Sequence, residues 1–263
     1  MLTSRIVTAL VGLPVFLVLV FYAPSFIFFL AVLIVALIGQ SECYNMFEHE
    51  ELQVQRFLGL LLGALVLWGF HGGQAPVIQG TLLLAVTAVL AFRVFSPRAA
   101  APAVGEIGMT LLGLFYAAFL FGYIILIRGE PQGGQWIFFL FLVVWGGDTG
   151  AYFIGRTFGK RKLIERISPN KTWEGAMGGL ASSGAAAVLG WAIFLRPEYS
   201  FFQILLLGIV LGGVGQTGDL IESLLKRSAG VKDSGTLLPG HGGVLDRFDS
   251  ILLSAPVFYY LAL

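Results

Sequence analysis

The sequence predicts an all-α, polytopic membrane protein of about nine transmembrane helices, with the N-terminus cytoplasmic and the C-terminus outside. Three observations predict it. The 263 residues are 57% hydrophobic and only 12% charged, with a mean hydropathy of +0.87, whereas a soluble domain carries about twice that charged share. Nine apolar stretches approach the ~20 residues that a helix needs to cross a bilayer. When these stretches are threaded alternately, 14 of the 16 Lys and Arg residues fall on one side. That bias marks the cytoplasmic face.

The first stretch, 6–22, follows Arg5 and imitates the apolar core of a signal peptide. Hydrophobic segments continue along the whole chain, so it is read as an uncleaved first helix. The second, 26–46, has Glu42 near its end and leads into a short acidic loop, Glu48, His49, Glu50 and Glu51. The third, 57–71, is short; Gly59 and Gly63 give it the spacing that permits close helix packing. His71 then sits beside Gly72 and Gly73 in a predicted outer turn. The fourth spans 76–95. The fifth, 106–127, opens on Glu106, where an acid is favoured by the helix dipole. Helices 1–4 (residues 1–100) are expected to be scaffold with dimer or lipid contacts, and helices 5–9 (101–263) to carry the chemistry.

The sixth stretch, 135–155, holds an acid, Asp148, inside an apolar run. The loop after it contains Gly155 to Lys160, which is one residue short of a phosphate-binding P-loop and lacks the hydroxyl residue after the lysine. That reading is rejected. The block Ser168 to Gly175 (SPNKTWEG) precedes the seventh stretch, 174–195, and Ser168 or Asn170 could cap that helix with Glu174 in its first turn. Capping leaves Lys171 at the membrane edge unexplained, so phosphate binding by Lys171 stands beside it. The eighth stretch, 201–225, ends with Asp219, Ser223 and Lys226 or Arg227 on one helical face. The ninth, 243–262, begins near Gly242 and Gly243 and carries Asp246 and Asp249 at i, i+3.

Between the last two stretches lies a polar island, Ser223 to Asp249, with Asp233, Asp246, Asp249, Lys226, Arg227, Lys232, Arg247 and His241. Ionisable groups are costly beside a bilayer, so such a cluster marks a functional site. Mutual salt bridging of helix ends is the alternative. The single cysteine, Cys43, excludes an internal disulfide and fits no metal-ligand spacing. Carboxylates without Cys or clustered His are hard oxygen donors suited to Mg²⁺, which keeps several waters and shares its shell with substrate phosphates. Neighbouring lysines and arginines suit phosphate oxygens, and a glycine-led helix start offers backbone N–H groups to an anion. These are parts for phosphoryl or nucleotidyl transfer between a lipid and a water-soluble nucleotide.

The 27-residue pattern from Ser223 through Lys226, Arg227, Lys232, Asp233, Pro239, His241, Gly242, Gly243, Asp246 and Arg247 to Asp249 resembles the signature of the phosphatidate cytidylyltransferases (CDP-diacylglycerol synthases). The 168–175 block, Asp148, the chain length and the multi-span layout resemble that family too. The resemblance implies transfer of the cytidylyl group of CTP to phosphatidate, giving CDP-diacylglycerol and pyrophosphate for phospholipid synthesis. It also implies Mg²⁺ dependence with K⁺ as a candidate second cation, a homodimer, and a site facing the cytoplasm of a bacterial inner membrane. Nucleic acid is not an expected partner; membrane lipid is.

On that footing Asp219 and Asp246 are expected to hold the metal, with Asp249 and Asp148 as further ligands or support. Lys171, Lys226, Arg227 and Lys232 would bind phosphates, with Ser223, Gly242 and Gly243 lining the substrate. Arg247 would bind phosphate or pair with an aspartate. His241 would contact the leaving pyrophosphate or hold the glycine turn. The rival functions are a CTP-dependent lipid kinase, which would release CDP, and a membrane transporter. No internal repeat relates the two halves, which weighs against the transporter. The motif of the CDP-alcohol phosphotransferases is absent.

Overall fold

The computed structural model describes residues 2–48, 52–194, 199–237 and 242–263, with side chains from residue 12 onward and without that of Phe194. His49, Glu50, Glu51, Arg196, Pro239 and His241, and the side chain of Arg5, therefore lie outside the described residues. The described chain is nearly all helix. In order come α1 (Leu2–Phe21), α2 (Ser25–Phe47), α3 (Arg56–His71), α4 (Ala75–Val94), α5 (Ala103–Gly113), a π-helical segment (Leu114–Phe119) and α6 (Leu120–Gly129). Then follow α7 (Gly133–Phe158), β1 (Lys162–Ile164), β2 (Ser168–Thr172), α8 (Trp173–Phe194), α9 (Phe201–Ser228) and α10 (Leu245–Ala262).

Among the described residues, six rods are long and apolar enough to cross a membrane: Ser25–Phe47, Ala75–Val94, Ala103–Gly129, Gly133–Phe158, Trp173–Ile193 and Phe201–Ser228. This is an integral membrane protein by composition and length. The 16 residues of α3 rise only about 24 Å, short of a ~30 Å hydrocarbon core.

The chain divides into two compact units: Met1–Gly129 with Asp233–Arg247, and Glu130–Lys232 with Phe248–Leu263. In the first, a buried polar knot joins three helices. Gln40 Nε2 donates to the Tyr44 hydroxyl (2.7 Å) and to the Gly59 carbonyl (2.8 Å). The Tyr44 hydroxyl donates to the Thr110 carbonyl at 3.0 Å, four residues before the helical ladder changes to π. The glycines are needed here: a Cβ on Gly59 or Gly113 would run into the Tyr44 ring. Glu106 lies in the first turn of α5, as the sequence predicts. It is buried and pairs with Arg93 at 2.6 Å, both side chains being 5% exposed or less. Arg93 is thus an interior partner of α5 as well as a cationic residue near the loop.

In the second unit α8 packs between α7 and α9. The seam is built of small residues at i, i+4, i+8 spacing. Gly147, Ala151 and Gly155 on α7 meet Gly175, Gly179 and Ser183 on α8, the close approach that small residues permit between apolar helices. Ser183 Oγ crosses it to donate to the Val143 carbonyl at 3.1 Å. On α9, Gly208 and Gly212 abut the other side of α8, and Gly218 abuts the Asp249 carbonyl of α10. These contacts set Asp148, Asp219 and Asp249 at neighbouring positions. A box of Ser200 and Gln203 caps the start of α9.

Two details correct the sequence reading. Residues 162–172 form a small antiparallel hairpin, so the chain is not wholly α. The cap of α8 is neither Ser168 nor Asn170, which lie in β2; the Gly175 N–H donates to Thr172 Oγ1 at 3.1 Å. Thr172, the last residue of β2, immediately precedes the helix, whereas Ser168 and Asn170 lie too far back for their side chains to cap its first N–H groups.

Candidate active site

Lys171 closes β2 just before α8, and its position is fixed from both sides. The α8 start is held by Thr172, and Glu174 Oε2 accepts the backbone N–H groups of Lys160 (3.0 Å) and Arg161 (3.2 Å). Lys171 Nζ then reaches Asp219 Oδ2 of α9 at 2.6 Å, with the two side chains 27% and 34% exposed. Ser223, one turn on, donates to Asp219 Oδ1 at 3.3 Å. The expected alignment of Asp219 and Ser223 on one helical face is therefore observed. The basic end of that face behaves differently: Lys226 pairs with Glu222 at 3.5 Å.

Around this pair the unit gathers further acids. Asp148 has Asp249, Asp219 and Lys171 as electrostatic neighbours and accepts a hydrogen bond from Ser250. Asp249 has Asp219 and Lys226 as charged neighbours, shares a hydrogen bond with Glu222, and accepts from the Ser250 N–H at 2.6 Å. Glu222 is fully buried and was not among the residues singled out from sequence. Its signal was available: it stands at i+3 from Asp219 and i−4 from Lys226.

Asp246 belongs to the other unit, in the first turn of α10. Its Oδ2 accepts from the Ser234 N–H (2.9 Å), Ser234 Oγ (2.9 Å) and the Gly243 N–H (2.8 Å). Gly242 has φ +80°, and a Cβ there would meet the same oxygen. The glycine pair thus fits a turn folded round a carboxylate. Lys232, Asp233 and Arg247 are exposed. Arg227 is exposed and donates to the Val231 carbonyl at 3.1 Å, closing the end of α9. His241 lies outside the described residues.

Among the described residues no three His, Cys, Asp or Glu side chains gather into a metal cage. Mg²⁺ takes hard oxygen donors, usually one or two protein carboxylates with waters and substrate phosphates for the rest. The donor set is all hard oxygen, and a cationic ammonium already sits against Asp219.

An integral membrane protein that keeps carboxylates, lysines and a glycine turn at its helix ends is, in class, a membrane-embedded enzyme acting on phosphate groups. Comparison with known proteins gives the family. The model of the Cytidylyltransferase family matches residues 3–263, and the chain belongs to that family. It is 36% identical to the phosphatidate cytidylyltransferase of Bacillus subtilis, over 98% of this chain and 96% of that protein. It is 38% identical to the one from Staphylococcus epidermidis, over 98% and 97%. A 153-residue portion is 48% identical to the Brucella suis enzyme of that name, covering 58% of this chain and 56% of that protein.

Proposed function

We propose that this chain transfers the cytidylyl group of CTP to phosphatidate, yielding CDP-diacylglycerol and pyrophosphate. Full-length similarity to enzymes named for that reaction carries the proposal, and the Lys171–Asp219 pair supports it. The attacking group is a phosphate monoester with a second pKa of about 6, dianionic at neutral pH, so no strong base is needed. A phosphatidate oxygen forms a bond to the α-phosphorus of CTP. The bond from that phosphorus to the bridging oxygen breaks, and pyrophosphate leaves with the electron pair.

The obstacle is charge, because one anion must approach another. Lys171 and Lys226 each carry a carboxylate partner that a phosphate oxygen can replace. Arg227, Lys232 and Arg247, all exposed, serve as outer phosphate contacts. Ser223 orients Asp219, and Gly242 and Gly243 shape the turn beneath Asp246. Asp219 and Asp246, supported by Asp249 and Asp148, are the proposed ligands of Mg²⁺. When bound, that ion neutralises the triphosphate and stabilises the departing charge.

The finer topology belongs to the same proposal: nine crossings, N-terminus and site in the cytoplasm of a bacterial inner membrane, and a homodimer. Purified protein in mixed micelles is given Mg²⁺, phosphatidate and CTP labelled at either the α- or the γ-phosphate. Label from the α-position entering lipid, with pyrophosphate released, is expected. Label from the γ-position entering lipid, with CDP released, would replace the transferase by a lipid kinase.

A further inference from the structure

The buried carboxylate of Glu42, on α2, has no part in the reaction as described. It is 6% exposed, and its bonds run to residues about 200 positions away. Oε1 accepts the Val244 N–H at 2.9 Å, and Oε2 accepts the Leu245 N–H at 3.0 Å and lies 3.3 Å from Ser234 Oγ. Val244 and Leu245 open α10, where the first N–H groups have no partner within the helix. Glu42 therefore caps α10 from a distance, with a negative charge at the positive end of the helix dipole.

Ser234 connects this cap to Asp246. Its hydroxyl carries one proton and lies within reach of Glu42 Oε2 (3.3 Å) and Asp246 Oδ2 (2.9 Å). Two glycines make room for the arrangement. A Cβ on Gly235 would lie 2.6 Å from Glu42 Oε1, and one on Gly243 would lie 2.5 Å from Oε2. Ser234, Gly235 and Gly243 thus pack against two carboxylates, Glu42 and Asp246, that share the Ser234 hydroxyl.

We propose that Glu42 is a positioning residue for cytidylyl transfer: by holding Val244, Leu245 and Ser234 it fixes the Asp246 carboxylate in the first turn of α10. This rests on the transferase reading of Asp246. Charge-assisted bonds to backbone N–H groups are stronger than neutral ones. An amide replacing the carboxylate cannot accept at both ends, because its NH₂ would face an N–H donor.

The test is Glu42→Gln in the full-length protein, with Ser234→Ala as a second variant. Two quantities are read: backbone hydrogen exchange of the peptide covering 242–250, and kcat and KM for CTP with α-labelled nucleotide well below the melting midpoint. Glu42→Gln is expected to speed exchange in that peptide and lower kcat by at least ~10-fold, with KM for CTP held within about twofold. Ser234→Ala, which leaves both backbone bonds to Glu42, is expected to lower kcat by a smaller factor without changing exchange at Val244 and Leu245. Faster exchange with kcat retained in Glu42→Gln would reduce Glu42 to a structural tie and overturn the proposal. Lost kcat without faster exchange would overturn it too. Should Glu42→Gln not fold, wild-type kcat in Ser234→Ala overturns it. Wild-type protein that moves no α-label defeats the transferase reading itself, a separate outcome.

Discussion

At the scale of single residues, the account turns on where a charge finds its partner. Lys171 was legible as a cation stranded at a membrane edge, and it meets Asp219 at 2.6 Å. Lys171→Ala is expected to lower kcat/KM by at least tenfold, about 1.4 kcal/mol of transition-state stabilisation; steady-state kinetics with CTP varied would check it, and unchanged kinetics would leave Lys171 a tie for the hairpin. The Arg93–Glu106 pair makes a contrasting prediction. Both partners are buried, and removing one partner of such a pair costs about 3–5 kcal/mol. Arg93→Ala should therefore lower the melting midpoint in detergent sharply, while the molecules that remain folded keep their turnover. Glu42, Glu106 and Glu222 show where sequence reading stops. Each was visible as an acid, but Glu42 finds its partners about 200 residues away, and no local spacing encodes that distance. Glu222 had a local signal, four residues before Lys226, and Glu106 one at the start of α5, though its Arg93 partner was not legible.

At the scale of elements, the apolar stretches foretold the rods closely, because a bilayer asks for length and hydrophobicity that composition displays directly. What they missed depends on pairing. The hairpin of β1 and β2 is short and polar, and forms by register between Lys162 and Thr172, not by periodicity. The π segment at Leu114–Phe119 follows the place where Tyr44 claims the Thr110 carbonyl, a tertiary event. The α7–α8 seam gives a prediction of its own. A Cβ on Gly179 would lie 3.0 Å from Ala151 Cβ and 3.1 Å from the Gly147 carbonyl. Gly179→Leu should cost about 1–3 kcal/mol or more through overpacking, seen as a lower melting midpoint or loss of the monodisperse peak in detergent. Gly108→Ala, where a Cβ meets nothing within 4 Å, should behave as wild type.

At the scale of the whole molecule, charge bias predicts which side each loop occupies. Cys43 is buried, so single cysteines introduced elsewhere report cleanly. Gln132→Cys, between α6 and α7, should react with a membrane-impermeant maleimide on intact cells. Glu165→Cys, in the hairpin, should react only after the membrane is opened; the reverse pattern would invert the proposed topology. The central claim is that the acids and lysines around Asp219 move a cytidylyl group onto a lipid phosphate. Its most direct test compares wild type with Asp219→Asn in one assay, following α-labelled CTP into the lipid phase alongside pyrophosphate. The account predicts label and pyrophosphate in equal amounts from wild type and neither from a folded Asp219→Asn protein. Equal transfer by both proteins would contradict the site, and no transfer by wild type would contradict the function.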